Sequence, residues 1–496
     1  MRDRVALIWA AVALALHLLV ANRYGFFRDE LYFIVCGQHP QFGYADQPPL
    51  VPLLAAGAYA LGHQLWLVRA IPAVAAAVLV LVAVALARLC GGKDGAAHLT
   101  GATVATATML VALTGTFNTT AFDPLAWTTL SLLFTRAALR DDRRALVWSG
   151  VVAGVALEAK YAIVVWVLAL ALACALTSWR KLLVRREFAL GALIAIAIAL
   201  PSILWQAGHD WPFAQLIHNA SRKDLPTPPL TFLIVLAVAF NLFALPVWLA
   251  GLIAPFTRAD MRDLRALPIA FVVALVATMA GHGKDYYVAA IFPTAFALGG
   301  VTLGRVMAIR WRVAYGALIV AGAAISVPVV LPYLSPSGAV RYLTALHAAP
   351  RPEEKGAVGD LPQYFADQFG WREIAATVAR VYDALPPADR AKAYVFAGNY
   401  GEAAAVDIFD AGRGMPPTLS GHNQYGLWGP HGYDGSVMID IGANVHDDLK
   451  VCRSATLAAV FSAPHVMPYE DHLGIVVCRG LRIPVATLWK KETFYI

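Results

Sequence analysis

The chain has 496 residues, of which 59% are hydrophobic and 14% charged, with a mean hydropathy of +0.61. Soluble domains carry about 25% charged residues, so this composition excludes a soluble globular chain, a disordered segment, a coiled coil and a disulfide scaffold, and marks a polytopic α-helical membrane protein. The net charge of +7 sits in residues 1–332, which hold 25 basic and 15 acidic residues, whereas residues 333–496 hold 14 and 17. The excess lies between apolar segments and forms no basic face interleaved with aromatics, which excludes nucleic acid as a partner.

A spanning helix needs about 20 mostly apolar residues. In chain order the apolar segments are 5–21, 66–87, 96–116, 119–138, 145–158, 161–178, 187–205, 230–254, 265–281, 286–304 and 312–332, about 11 transmembrane helices. Arg2 and Arg4 ahead of the first resemble a signal peptide, but no small-x-small cleavage site follows, so that segment is read as a retained helix. Segment 145–158 is short, and 119–138 contains Asp123-Pro124. With the N-terminus in the cytoplasm, alternation places 18 of the 25 basic residues on the cytoplasmic side and 7 outside, the asymmetry of the positive-inside rule. Residues 1–332 then form a transmembrane domain, and 333–496 a soluble extracytoplasmic one. Its pattern shifts to short strands at Ala393–Phe396, Val437–Ile441 and 474–478, with a helix over Trp371–Ala384, which predicts an α/β or α+β fold. Cys36, Cys90 and Cys174 fall in or near apolar segments as packing residues. Cys452 and Cys478 share the external domain, where a disulfide is chemically allowed and their spacing alone leaves the pairing open.

The first external loop, 22–65, is long and rich in aromatics, and loops of that length are usually functional. Asp29 and Glu30 precede the apolar run 31–36, as carboxylates at a helix start do. The plain reading is an N-cap and a first-turn charge. A second carboxylate, Asp46, precedes Gln47-Pro48-Pro49, and the pair of prolines stiffens the backbone where it returns to the membrane. Ionisable groups at membrane depth are costly and usually line a cavity or pathway. Asp123, Lys160 and Lys284 also lie at external ends of apolar segments.

Asp29-Glu30-x-x-Phe33 resembles the Asp-Glu signature of the protein O-mannosyltransferases. Asp46-Gln47-Pro48-Pro49-Leu50 resembles the acidic-x-Pro-Pro-Leu segment shared with the lipid A aminoarabinose transferases. Asn118-Thr119-Thr120-Ala121-Phe122-Asp123-Pro124-Leu125, Ala159-Lys160-Tyr161 and Gly283-Lys284-Asp285-Tyr286-Tyr287 match in order and side. The resemblance covers most of residues 20–300 and is to the GT-C integral membrane glycosyltransferases. It implies a GT-C fold and transfer of a sugar from a polyprenyl-phosphate-linked donor to an extracytoplasmic glycan, lipid or protein acceptor at the bilayer, with no cofactor fixed and a divalent cation (Mg or Mn) left open.

Residue by residue, the resemblance implies Asp29 as the general base on the acceptor, with Glu30, Asp46, Gln47, Asp123, Tyr286 and Tyr287 shaping the pocket and Asp46 as a metal candidate. Arg28, Lys160 and Lys284 are the candidates for the lipid phosphate, because a leaving phosphate needs cations; snorkelling at the interface is the plain alternative. Gln47 departs from the relatives, which carry Lys or His there; an amide hydrogen-bonds a phosphate without neutralising it. In the tail, Asn399, Tyr400, Glu402, His422, Asn423 and Trp428 resemble segments of bacterial members' external domains and are candidates for sugar or acceptor contact; an ordered Gly-rich loop is the plain alternative. Ala-rich composition and short loops fit a bacterial inner membrane. His465, Glu470, Asp471 and His472 match no zinc spacing. No Walker A, GxGxxG or GxSxG motif occurs. The alternative is a transporter or flippase for a polyprenyl-linked lipid, against which stands the lack of an internal repeat.

Overall fold

A helix satisfies its backbone polar groups within its own segment, so apolar runs without period-two alternation fold as helices. The computed structural model of the chain describes residues 3–223, 227–281, 283–348, 350 and 357–496. Among these, four helices are long and apolar enough to cross a membrane: Leu65–Leu89, Arg186–Gly208, Asp285–Val306 and Ile309–Val330. Pro229–Ala239 and Leu242–Thr257 make a fifth if their 95° bend is one broken span. Arg4–Leu18, Leu50–Ala60, Ile163–Ala175 and Ala266–Ala280 are shorter apolar helices.

The eleven apolar segments therefore differ from the long helices, and local chemistry shows why. Segment 96–116 is interrupted by extended backbone at Ala107, between Asp94–Thr106 and Thr108–Leu113. Segment 230–254 breaks at Asn241, whose φ of 74° ends one helix while its side chain accepts from Phe243 N to start the next. Segment 119–138 opens as a 3-10 turn, Thr119–Phe122, and becomes α-helical only at Asp123, with Pro124 in the first turn, where its missing N–H costs nothing. The first external loop holds two helices, Arg28–Gln38 and Leu50–Ala60.

Chain contacts divide the molecule into two units. One comprises Met1–Arg23, Trp66–Leu204 and Pro226–Tyr333; the other comprises Tyr24–Leu65, Trp205–Leu225 and Leu334–Ile496. The first is a helical body with a continuous apolar core that includes Trp127, Trp166, Phe240, Phe292 and Phe296. Its helices approach closely where small residues meet: a Cβ on Gly251 or Gly299 would strike the backbone of the facing helix, the close contact that small residues permit in membranes.

The second unit is built on a four-stranded sheet of β1 (Ala393–Phe396), β2 (Val437–Ile441), β3 (Cys452–Phe461) and β4 (Leu473–Leu481), in the order β1-β2-β4-β3. β1 and β2 are parallel, joined by a crossover through the helix Tyr400–Phe409, and the other pairings are antiparallel. The helix Trp371–Ala384 and strands β1 and β2 match the sequence pattern; β3, whose inner alternation is weak, does not announce itself there. Cys452 and Cys478 form a disulfide between β3 and β4. The helix Arg28–Gln38 belongs to this unit and packs against Tyr400–Phe409, which sets the site.

Candidate active site

The helix Arg28–Gln38 begins where Phe27 is extended and the Glu30 carboxylate turns back to accept the Phe27 N–H at 2.8 Å. Glu30 is fully buried and serves as the cap of this helix. That leaves Asp29, one residue earlier, free of capping duty. Its side chain is 29% exposed, and its Oδ1 accepts a 2.8 Å hydrogen bond from Tyr400 Oη. Arg28 lies beside it, with Nε 3.9 Å from Asp29 Oδ1 and Nη2 3.7 Å from the buried Asp367. The guanidinium also covers the Tyr400 ring at 5.2 Å and donates to Tyr469 Oη at 3.4 Å.

Three residues past Asp29, on the same helix face, Tyr32 Oη donates to Asp46 Oδ1 at 2.7 Å and accepts from Gln424 N at 3.1 Å. Burial pushes the Asp46 carboxyl up to about 7, an effect offset in part by the Tyr32 hydrogen bond. Gln47 is 2% exposed, and neither its Oε1 nor its Nε2 meets a protein partner. Among the described residues no group of three or more His, Cys, Asp or Glu comes together to hold a metal ion.

The tail candidates divide. Tyr400 reaches Asp29. Asn399 caps the helix Tyr400–Phe409, and Glu402 is buried behind it, its Oε2 accepting from Gly398 N at 2.8 Å. Asn423 holds Ile496 through both ends of its amide at 3.0 and 3.2 Å, and His422 stacks on Phe494, so these two tie down the C-terminal residues, while the His422 ring also packs on Tyr400 at 4.7 Å. Trp428 packs against His39 and Tyr425.

The membrane unit carries its own cluster. Lys160 ends the helix Arg143–Ala159, and its Nζ lies 3.9 Å from the buried Asp123 Oδ2, bonds Thr120 Oγ1 and sits 4.6 Å from the centre of the Tyr287 ring. Tyr286 packs on Tyr287 at 4.7 Å. Three motifs far apart in sequence converge here. Lys284 immediately precedes the turn Asp285–Ile291, and its carbonyl accepts from Tyr287 N at 3.1 Å.

Sequence reasoning missed Tyr32, Asp367 and Tyr469, and weighed Glu470 only as a zinc ligand. Tyr32 was legible as the i+3 neighbour of Asp29; the other three have no local signature, because only the tail's fold brings them to Arg28.

Residues 46–205 match the family model described as "Dolichyl-phosphate-mannose-protein mannosyltransferase". No curated protein matches the chain in sequence. Among solved structures, ArnT from Cupriavidus metallidurans bound to undecaprenyl phosphate is 15% identical, with a TM-score of 0.58 over 95% of this chain and 97% of that one. This chain has the GT-C glycosyltransferase fold. The archaeal oligosaccharyltransferase AglB from Archaeoglobus fulgidus, in complex with an inhibitory peptide and a dolichol-phosphate, superposes on this chain with a TM-score of 0.51 at 12% identity, over 82% of this chain and 63% of that one. The arabinofuranosyltransferase AftD from Mycobacteria does so with 0.54 at 13% identity, over 97% and 40%. Asp46, Gln47, Thr120, Asp123 and Lys160 fall within the family match.

Proposed function

We propose that this GT-C chain is an inverting glycosyltransferase that moves a sugar from a polyprenyl-phosphate-linked donor to an extracytoplasmic acceptor, with Asp29 as general base. The observation that carries this reading is the Asp29 carboxylate itself: spared from capping by Glu30, partly exposed, and oriented by Tyr400. In the reaction the acceptor hydroxyl oxygen attacks the anomeric carbon while the bond from that carbon to the phosphate oxygen breaks. The hydroxyl proton passes to Asp29, and the lipid phosphate leaves with the electron pair. One displacement inverts the anomeric centre, since no carboxylate need form a sugar intermediate.

Leaving-group charge calls for cations. Lys160, set against Thr120 and Tyr287, is the residue we assign to the lipid phosphate, with Lys284 beside it in role. Arg28 is engaged by Asp29, Asp367 and Tyr469, which suits holding the base in place. ArnT was solved with undecaprenyl phosphate and AglB with dolichol-phosphate and a peptide, which supports a lipid-linked donor and leaves glycan, lipid and protein as acceptor classes. We place the protein in a bacterial inner membrane with about 11 crossings, residues 1–332 as the catalytic membrane domain and 333–496 outside. The Cys452–Cys478 disulfide fits that oxidising side.

The test is release of free polyprenyl phosphate when the purified protein meets a panel of polyprenyl-phosphate sugars with envelope extracts. Release that needs one sugar and one acceptor fraction supports transfer. Lipid that binds and is never released would favour a lipid carrier instead.

A further inference from the structure

Behind Tyr400 the second unit buries two carboxyl groups that the transfer reaction does not use. Glu402 lies in the first turn of the helix Tyr400–Phe409 and Glu470 closes the turn Pro468–Glu470; they are 3% and 5% exposed. Asn399 links them. Its Oδ1 accepts from Gly401 N at 2.8 Å and Glu402 N at 3.1 Å, and its Nδ2 donates to Glu470 Oε1 at 2.9 Å. This cap fixes the backbone from which Tyr400 reaches Asp29. The next residue, Gly401, lies so close to the Arg28 stem that a Cβ there would overlap Arg28 Cγ and Cδ. A shift of the turn is therefore passed to Arg28 and Asp29 together.

Two buried carboxyl groups in contact do not both ionise. Burial raises Glu470 well above the ordinary range, and the Glu402 charge and Asp367 raise it further against the opposing pull of Arg28. Burial likewise raises Glu402, Asp440 on β2 adds to this, and a hydrogen bond from Glu470 counteracts it. Glu470 Oε2 is buried with no donor directed at it. A proton on Glu470 makes it a donor to the neighbouring Glu402 carboxylate.

We propose that Glu470 is held as a neutral carboxylic acid and, through Asn399 and Glu402, positions Tyr400 on Asp29. The proposal rests on the reading of Asp29 as the base. Glu470 is a positioning residue, since it acts on the reaction through Asn399 and Tyr400.

Glu470→Gln mimics the neutral acid, because its carbonyl accepts from Asn399 and its amide donates to Glu402. In the full chain at pH 7.5, the infrared difference between wild type and Glu470→Gln should contain a protonated carboxyl band; a difference holding only carboxylate bands overturns the proposal. With a mixture of undecaprenyl-phosphate-linked hexoses and pentoses plus envelope extract, Glu470→Gln should release undecaprenyl phosphate within about twofold of wild type. Glu470→Ala should lose about a hundredfold in kcat, the scale of a misplaced catalytic group, with KM little changed. Adding Tyr400→Phe to Glu470→Ala should cost little more than either alone, because the two act in one chain. If Glu470→Ala fails to fold, Asn399→Ser, which keeps a capping oxygen and drops only the donor to Glu470, takes its place with the same expectation. A Gln variant as slow as the Ala variant, or losses that multiply, overturns the proposal. Full activity in Asp29→Asn would instead remove the base reading, and the infrared result would still decide the state of Glu470.

Discussion

The cluster around Arg28 and the cluster around Lys160 are made from the same three kinds of group, a cation, a carboxylate and a tyrosine ring, and differ in charge balance. Lys160 faces Asp123 and rests on Tyr287, close to a one-to-one pair. Arg28 rests on Tyr400 among Asp29, Asp367 and, further back, Glu470, so acidic groups outnumber it. The first cluster carries more carboxyl groups than cations, whereas the second sets one carboxyl group against one cation. Under the function proposed above, the first cluster takes the proton of the acceptor and the second keeps a cation for the departing phosphate.

The contrast can be broken at its strongest point first. Lys160→Met leaves Asp123 buried without its cation, and loss of one partner of a buried pair costs about 3–5 kcal/mol; thermal unfolding in detergent should show it, and Asp123→Asn in the same chain should restore most of it. Cys452→Ser, which opens the link spanning 26 residues, should cost about 2–4 kcal/mol and lower the unfolding midpoint with no effect on the Lys160 cluster. Gly401→Ala forces a methyl group into the Arg28 stem and should cost about 1–3 kcal/mol as overpacking. Its rate loss should exceed what that destabilisation explains, because Arg28 and Asp29 move together.

The smallest effect concerns pH. The Asp46 carboxyl, raised by burial from the ordinary carboxylate range to about 7, binds its proton more tightly folded than unfolded. Its contribution to stability is therefore complete below the unfolded value and is lost as pH rises through about 7. Asp46→Asn should flatten the unfolding midpoint over that window, and an unchanged pH dependence would show that Asp46 does not titrate there.

The two clusters were unequally legible in sequence. The Lys160 set could be read from motifs, since Thr120, Asp123, Lys160 and Tyr287 each sit at a segment end that the apolar pattern exposes. Asp29 and Asp46 were visible inside the first loop, one ahead of the apolar run 31–36 and the other ahead of Pro48-Pro49. The groups that govern Asp29 were not: Asp367, Tyr469 and Glu470 stand in turns with ordinary composition, and only the tail's sheet and helix packing brings them to Arg28. Span lengths were the weakest inference, because hydropathy does not see the break at Ala107 or the positive φ at Asn241. Tail strands β1 and β2 were clear as short alternating or apolar runs; β3 was hidden by a bulge at Leu457/Ala459 and an exposed outer face.

The most direct measurement is release of undecaprenyl phosphate by wild type and Asp29→Asn from the same mixture of undecaprenyl-phosphate-linked sugars and envelope extract, with binding of undecaprenyl phosphate measured alongside. We expect Asp29→Asn to bind the lipid as wild type does and to lose at least about 10²-fold in release rate, the low end of what a general base contributes. Equal release by the two proteins would contradict the assignment of Asp29 as the base.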